Sequence, residues 1–223
     1  MKTKRTTKQA GFSLLELIVA MTIMLILLGI VATLLSRSLG IKARESQRTD
    51  ALTSAQAALN VLSREIANSG FGIIASDGSR LASNGIIAVD SNASRIHIRS
   101  NINNVGLPSN PTGSTVLATN QSGEDVTYFF DAASDSIVRY DPYDTPTTSV
   151  VVNRISNVTF QYFDYSGTNS AGVEVTTPTI NTGRVRITVT VQLDPVQGQP
   201  NPSNITFTSD VTLRNSNYML NQY

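Results

Sequence analysis

The run from Phe12 to Leu35 constrains this chain more than any other feature. From Leu17 to Leu35 nineteen residues carry no charge, and only Thr22, Gly29 and Thr33 interrupt the apolar side chains. As a helix, that stretch spans about 28 Å, close to the ~30 Å hydrocarbon core of a bilayer. A membrane-inserted helix is the natural reading. An ordinary secretory signal would have a shorter apolar region, followed by small residues at a cleavage site. Ser36-Arg37-Ser38-Leu39 does not supply such a site. The flanking charge leaves orientation nearly tied. Lys2, Lys4, Arg5 and Lys8 precede the run, while Arg37, Lys42, Arg44 and Arg48 follow it.

The rest of the composition narrows the chemistry. The 223 residues are enough for one domain and an appendage. Of 17 basic residues, four lie in the first eleven positions. The remaining 13 face 16 acids, so residues 12–223 carry about −3. That balance does not suit a nucleic-acid-binding surface, and no nucleic-acid partner is expected. The absence of cysteine excludes disulfides, thiol chemistry and zinc–thiolate sites. A single histidine, His97, leaves too few parts for a catalytic triad or a histidine metal site. It falls in register with Arg95 and Arg99 and is expected to be solvated on the polar face of a strand. Asp131, Asp135, Asp141 and Asp144 cluster without a calcium-loop pattern and are expected to start and cap turns. No catalytic residue, cofactor or metal site is expected, and the chain does not read as an enzyme.

Glu16 is out of place in a plain anchor. A carboxylate inside an apolar helix is costly, by about 2.5–3.5 kcal/mol near the bilayer centre and less near the interface. Such a group calls for a cationic partner.

The sequence Lys8-Gln9-Ala10-Gly11-Phe12-Ser13-Leu14-Leu15-Glu16-Leu17 resembles the cleavage and methylation motif of type IV prepilins. The resemblance implies a basic leader, residues 1–11, removed by a prepilin peptidase that cuts between Gly11 and Phe12. The same enzyme would methylate the new amino group of Phe12. It also implies that Glu16 pairs with the N-terminal cation of a neighbouring subunit, so that two buried charges are offset only when subunits dock in register. The implied location is the inner membrane, single-pass with a periplasmic C-terminal domain, and then a pilus or pseudopilus.

Beyond Leu39 the helix is expected to continue. Leu52, Ala55, Leu59, Leu62 and Ile66 form one apolar stripe, and Gly70-Phe71-Gly72 is a stop signal. A helix over Phe12–Ser69 would reach about 87 Å, with residues 12–36 as a transmembrane or filament-core half and residues 37–70 as an amphipathic half. Many major pilins carry a helix-kinking proline where this chain has Thr33, which favours a minor subunit.

From residue 71 to 223 the period changes to two. Strands are predicted at Arg95–Arg99, Val126–Phe130, Ile137–Tyr140, Val158–Phe163, Val185–Leu193 and Ile205–Leu213, with loops over 100–115, 164–182 and 194–204. Asp131 to Asp135 reads as the turn of a hairpin. The fold class is therefore α+β and pilin-like, with a long N-terminal helix packed on an antiparallel β-sheet domain.

The segment Leu62-Ser63-Arg64-Glu65-Ile66-Ala67-Asn68-Ser69-Gly70-Phe71-Gly72 is similar to the helix end of PilW-type minor pilins and J-type pseudopilins of type II secretion. The order of later features is similar too, from Phe160-Gln161-Tyr162-Phe163-Asp164 to Val211-Thr212-Leu213-Arg214-Asn215. The resemblance implies partners among other minor pilins or pseudopilins and the major pilin. It also implies a role in priming or building the filament. A binding module displayed on a filament, for adhesion or DNA uptake, and a type II secretion pseudopilin for protein export are the alternative readings.

Overall fold

The computed structural model describes residues 13–73, 84–102, 119–166, 171–196 and 204–220. Gly11, Phe12 and the whole leader lie outside the described residues. The chain divides into two compact units, Met1–Ser46 with Pro195–Asn201 and Gln47–Asp194 with Pro202–Tyr223.

The first element, α1, is a continuous helix over Leu14–Ala67. Residues between Leu14 and Leu39 are exposed in this chain, including Leu14, Leu28 and Leu35. An 18-residue stretch has a mean hydropathy of 2.8 and no residue buried inside the protein. By length and composition α1 is able to cross a membrane. Thr22 and Thr33 lie within it, and each satisfies its hydroxyl by donating to a carbonyl of its own preceding turn, Val19 and Gly29, both at 2.8 Å.

The second unit is built on two four-stranded antiparallel sheets. The first contains β1 (Arg95–Arg99), β2 (Asp125–Asp131), β3 (Ser136–Tyr140) and β4 (Thr148–Asn153), in sequence order. The second contains β5 (Asn157–Asp164), β6 (Val173–Val175), β7 (Thr182–Gln192) and β8 (Asn204–Thr212), in the order β6-β5-β7-β8. A one-turn helix, α2 (Asn217–Leu220), follows. All the predicted strands are present. The sequence pattern did not reveal β4 or β6, nor the division into two sheets.

Period-two alternation assigns the faces. Ile96 and Ile98 of β1, Val126 and Tyr128 of β2 and Ile137 of β3 are buried on one face of the first sheet. Val158, Phe160 and Tyr162 of β5 and Val185, Ile187, Val189 and Val191 of β7 are buried in the second. These residues share one core with Ala51, Ala55, Ala58, Leu62 and Ile66 of α1. The helix stripe is thus rotated from the predicted one. Leu52 is 41% exposed and Leu59 packs only at the margin, while Ala51 and Ala58 are buried. Three alanines let the helix backbone approach the strands more closely than leucines would, and Leu62 and Ile66 then fill the space nearer the helix end.

The helix ends where glycine permits a reversal. Gly70 and Gly72 have φ of 77° and 67°, conformations that side chains disfavour. The Gly70 N–H donates to the Arg99 carbonyl at 2.8 Å, and the Asn101 N–H donates to the Phe71 carbonyl at 2.7 Å. The end of α1 is thereby fixed to the end of β1. On the other side, the Arg214 N–H reaches the Ala67 carbonyl at 3.2 Å, and the Asn215 amide donates to the Ser69 carbonyl at 2.9 Å. Asn84 completes this junction. Its side-chain amide donates to the carbonyls of Thr179 and Thr182 at 2.7 and 3.0 Å, and its backbone carbonyl accepts from the Ser69 hydroxyl at 2.6 Å. The buried Asp164 carboxylate takes the hydroxyls of Thr179 and Thr182, both at 2.5 Å.

Candidate functional site

Glu16 lies in the first turn of α1 and is exposed. Its side chain stands among Leu14, Leu15, Leu17 and Ile18, all at least half exposed. A negative charge near a helix N-terminus meets the positive end of the helix dipole. Among the described residues no ion pair involves Glu16. Phe12, whose amino group in a neighbouring subunit is the partner that the prepilin resemblance implies for Glu16, lies outside the described residues.

A second polar constellation occupies the outward face of the first sheet. His97 of β1 stands opposite Thr127 of β2, which stands opposite Tyr140 of β3. Its Nδ1 is 3.2 Å from Asp90, at the end of a 3₁₀ turn over Ala88–Asp90, and its Nε2 contacts Asp125. Asp125 also accepts from Arg99 Nε at 2.7 Å. The strand and register of His97 agree with the alternation, but the expected solvation does not. Its side chain is only 11% exposed, because the 3₁₀ turn covers it on one side and Asp125 engages it on the other.

The four aspartates from the end of β2 onward serve the turns. Asp131 accepts from the Ser134 hydroxyl at 2.6 Å and the Ala133 N–H at 3.1 Å, and these bonds hold its carboxyl below the usual range. Asp141 is fully buried and takes the N–H groups of Gly123 and Tyr143 at 2.7 and 2.9 Å and Arg139 at 2.8 Å. Asp144 accepts from the Thr145 N–H at 2.8 Å. Asp135 holds the left-handed position of the β2–β3 turn, with φ of 47°. Among the described residues no group of three or more acids and histidines could hold a metal ion.

Beside His97 lies a cleft of about 550 Å³, with Asp90, Asn92, Arg95, Phe129 and Tyr140 in its lining. Sequence reasoning missed it because its residues come from three strands and a turn. Only the cross-strand register brings them together.

The prokaryotic N-terminal methylation motif matches residues 6–32 of the chain. That span includes Gly11, Phe12, Glu16 and most of the apolar run. No curated protein and no solved structure matches the chain.

Proposed function

We propose that this chain is a minor subunit, of the PilW-type pilin or J-type pseudopilin kind, that primes or enters a type IV pilus-like filament. The match of the N-terminal methylation motif over residues 6–32 carries the reading. That motif supports a pilin or pseudopilin role, processing by a prepilin peptidase and assembly with other pilins. Together with the apolar start of α1, it fits a membrane-anchored structural subunit rather than an enzyme.

In this reading the peptidase cuts between Gly11 and Phe12 and methylates Phe12. Residues 12–36 then form the membrane and filament-core segment, residues 37–70 the amphipathic continuation, and residues 71–223 the periplasmic β-rich domain. The physical logic rests on Glu16. Placed among exposed apolar side chains, its charge is costly alone and is offset by a neighbour's N-terminal cation at one register of assembly. The uninterrupted passage of α1 through Thr33, where many major pilins have proline, favours a minor role.

The test is co-purification from native membranes with the subunits encoded beside it. Recovery with other minor pilins or pseudopilins supports the assignment. A chain found only as an isolated membrane protein, or retaining Lys2–Gly11, would refute it.

A further inference from the structure

We propose that the cleft on the outward face of the first sheet binds a carboxylate-bearing saccharide, one or two residues of an acidic glycan at a time. Arg95 and Phe129 are register partners, as are Thr127 with His97 and Thr127 with Tyr140. Arg95, His97, Phe129 and Tyr140 therefore share the face opposite the core residues Ile96 and Tyr128. The cleft of about 550 Å³ falls in the ordinary range for small-molecule sites, ~300–1,000 Å³.

The charges in and beside it are unevenly matched. His97 is held by Asp90 and Asp125, and Arg99 is held by Asp125. Arg95 makes no ion pair among the described residues, and it is exposed. Its guanidinium offers a planar fork to a carboxylate. The lining is also aromatic, with Phe129 opposite Arg95 and Tyr140, 41% exposed, in the row of His97. The positively polarised C–H face of a pyranose ring suits the negative face of such a ring.

The remaining groups choose between ligands. Asn92 uses its side-chain oxygen on the Ser94 N–H and hydroxyl, both at 2.9 Å, which leaves its amide hydrogens to donate. Asp90 uses one oxygen on His97 and keeps the other as an acceptor. A sugar presents hydroxyls that need both donors and acceptors. An acidic peptide has carboxylates for Arg95 but no ring hydroxyls to donate to the free Asp90 oxygen or accept from Asn92.

The test is calorimetry on the full chain in mild detergent, with trigalacturonate as probe and maltotriose and a hexaglutamate peptide as comparisons. Trigalacturonate should bind with a Kd of about 1 mM or tighter, at least several-fold tighter than maltotriose. Arg95→Gln should weaken trigalacturonate about tenfold and leave maltotriose unchanged, while Tyr140→Ala should weaken both. Both side chains are exposed, and an unchanged thermal melt confirms the fold in each variant. Failure of trigalacturonate to bind at 10-fold above that concentration, or equal binding by Arg95→Gln, would overturn the proposal. Tighter binding of hexaglutamate would replace it with a peptide dock.

Discussion

The α-carbon of Gly85 lies so close to Gly70 that a β-carbon on Gly85 would sit 2.0 Å from the Gly70 nitrogen. The same β-carbon would be 2.4 Å from the Arg99 carbonyl oxygen, and both obstacles are backbone. Gly85 also has φ of +70°. Gly85→Ala should therefore destabilise the domain by about 2–5 kcal/mol, combining backbone strain with a clash that cannot rotate away. Urea unfolding of the full chain in mild detergent checks this, and a cost under about 1 kcal/mol would contradict the packing at the helix end.

Leu62 and Leu52 separate the observed helix face from the predicted one. Leu62 is fully buried and Leu52 is 41% exposed. Leu62→Ala should cost about 2–5 kcal/mol by the same measurement. Leu52→Ala should cost less than about 1 kcal/mol. Equal losses would restore the stripe read from spacing alone.

Tyr162 should make the fold sensitive to alkali. Burial pushes its hydroxyl well above the ordinary tyrosine range, and the hydroxyl donates to the carbonyls of Asn92 and Arg95 at 2.9 and 3.3 Å. A folded-state value above the unfolded value of about 10 means full stability below that pH and loss as pH rises past it. Tyr162→Phe should cost about 0.5–1.5 kcal/mol near neutrality and reduce the alkaline slope. The slope should persist in part, because burial raises Tyr128 as well. Unfolding curves at neutral and strongly alkaline pH provide the comparison.

Processing can be read by mass. Protein from native membranes should begin at N-methylated Phe12, and Gly11→Val should accumulate uncut precursor. The branched side chain would obstruct approach of the peptidase to the backbone. A mature chain starting near Ser36 would instead identify an ordinary signal sequence.

Glu16→Ala should separate anchoring from assembly. Removing a charge from an apolar helix leaves insertion intact or improves it. Under the proposed pairing, incorporation into filaments should fall several-fold, because the neighbour's terminal cation would lose its partner. Membrane fractionation and filament shearing, run in parallel, measure the two properties. Normal incorporation would make Glu16 a bystander.

How far the sequence could be read follows from how local each signal is. The methylation motif is contiguous, so Gly11, Phe12 and Glu16 could be proposed from it without a fold. Strands such as Val185–Leu193 alternate over many residues and were legible. Thr148–Asn153 was not, because its valines run together instead of alternating. Val173–Val175 is three residues long and is defined by its pairing with Tyr162, Phe163 and Asp164. The two-sheet division was hidden because a helix stripe reports that a face is covered, not how many sheets cover it. His97 shows the same limit. Alternation gave its side of the strand, while the 3₁₀ turn that covers it comes from seven residues earlier and Asp125 from the next strand.

The hydrogen bonds from Arg214 to Ala67 and from Asn215 to Ser69 join residues 147 and 146 positions apart. During synthesis the helix emerges first and its partners last. The core over Ala51, Ala55, Ala58, Leu62 and Ile66 stays incomplete until β7 and β8 have been made. Closure of so long a loop slows folding. For that interval the nascent subunit exposes an adhesive surface, which a membrane-held helix keeps from meeting other unfinished chains freely in solution.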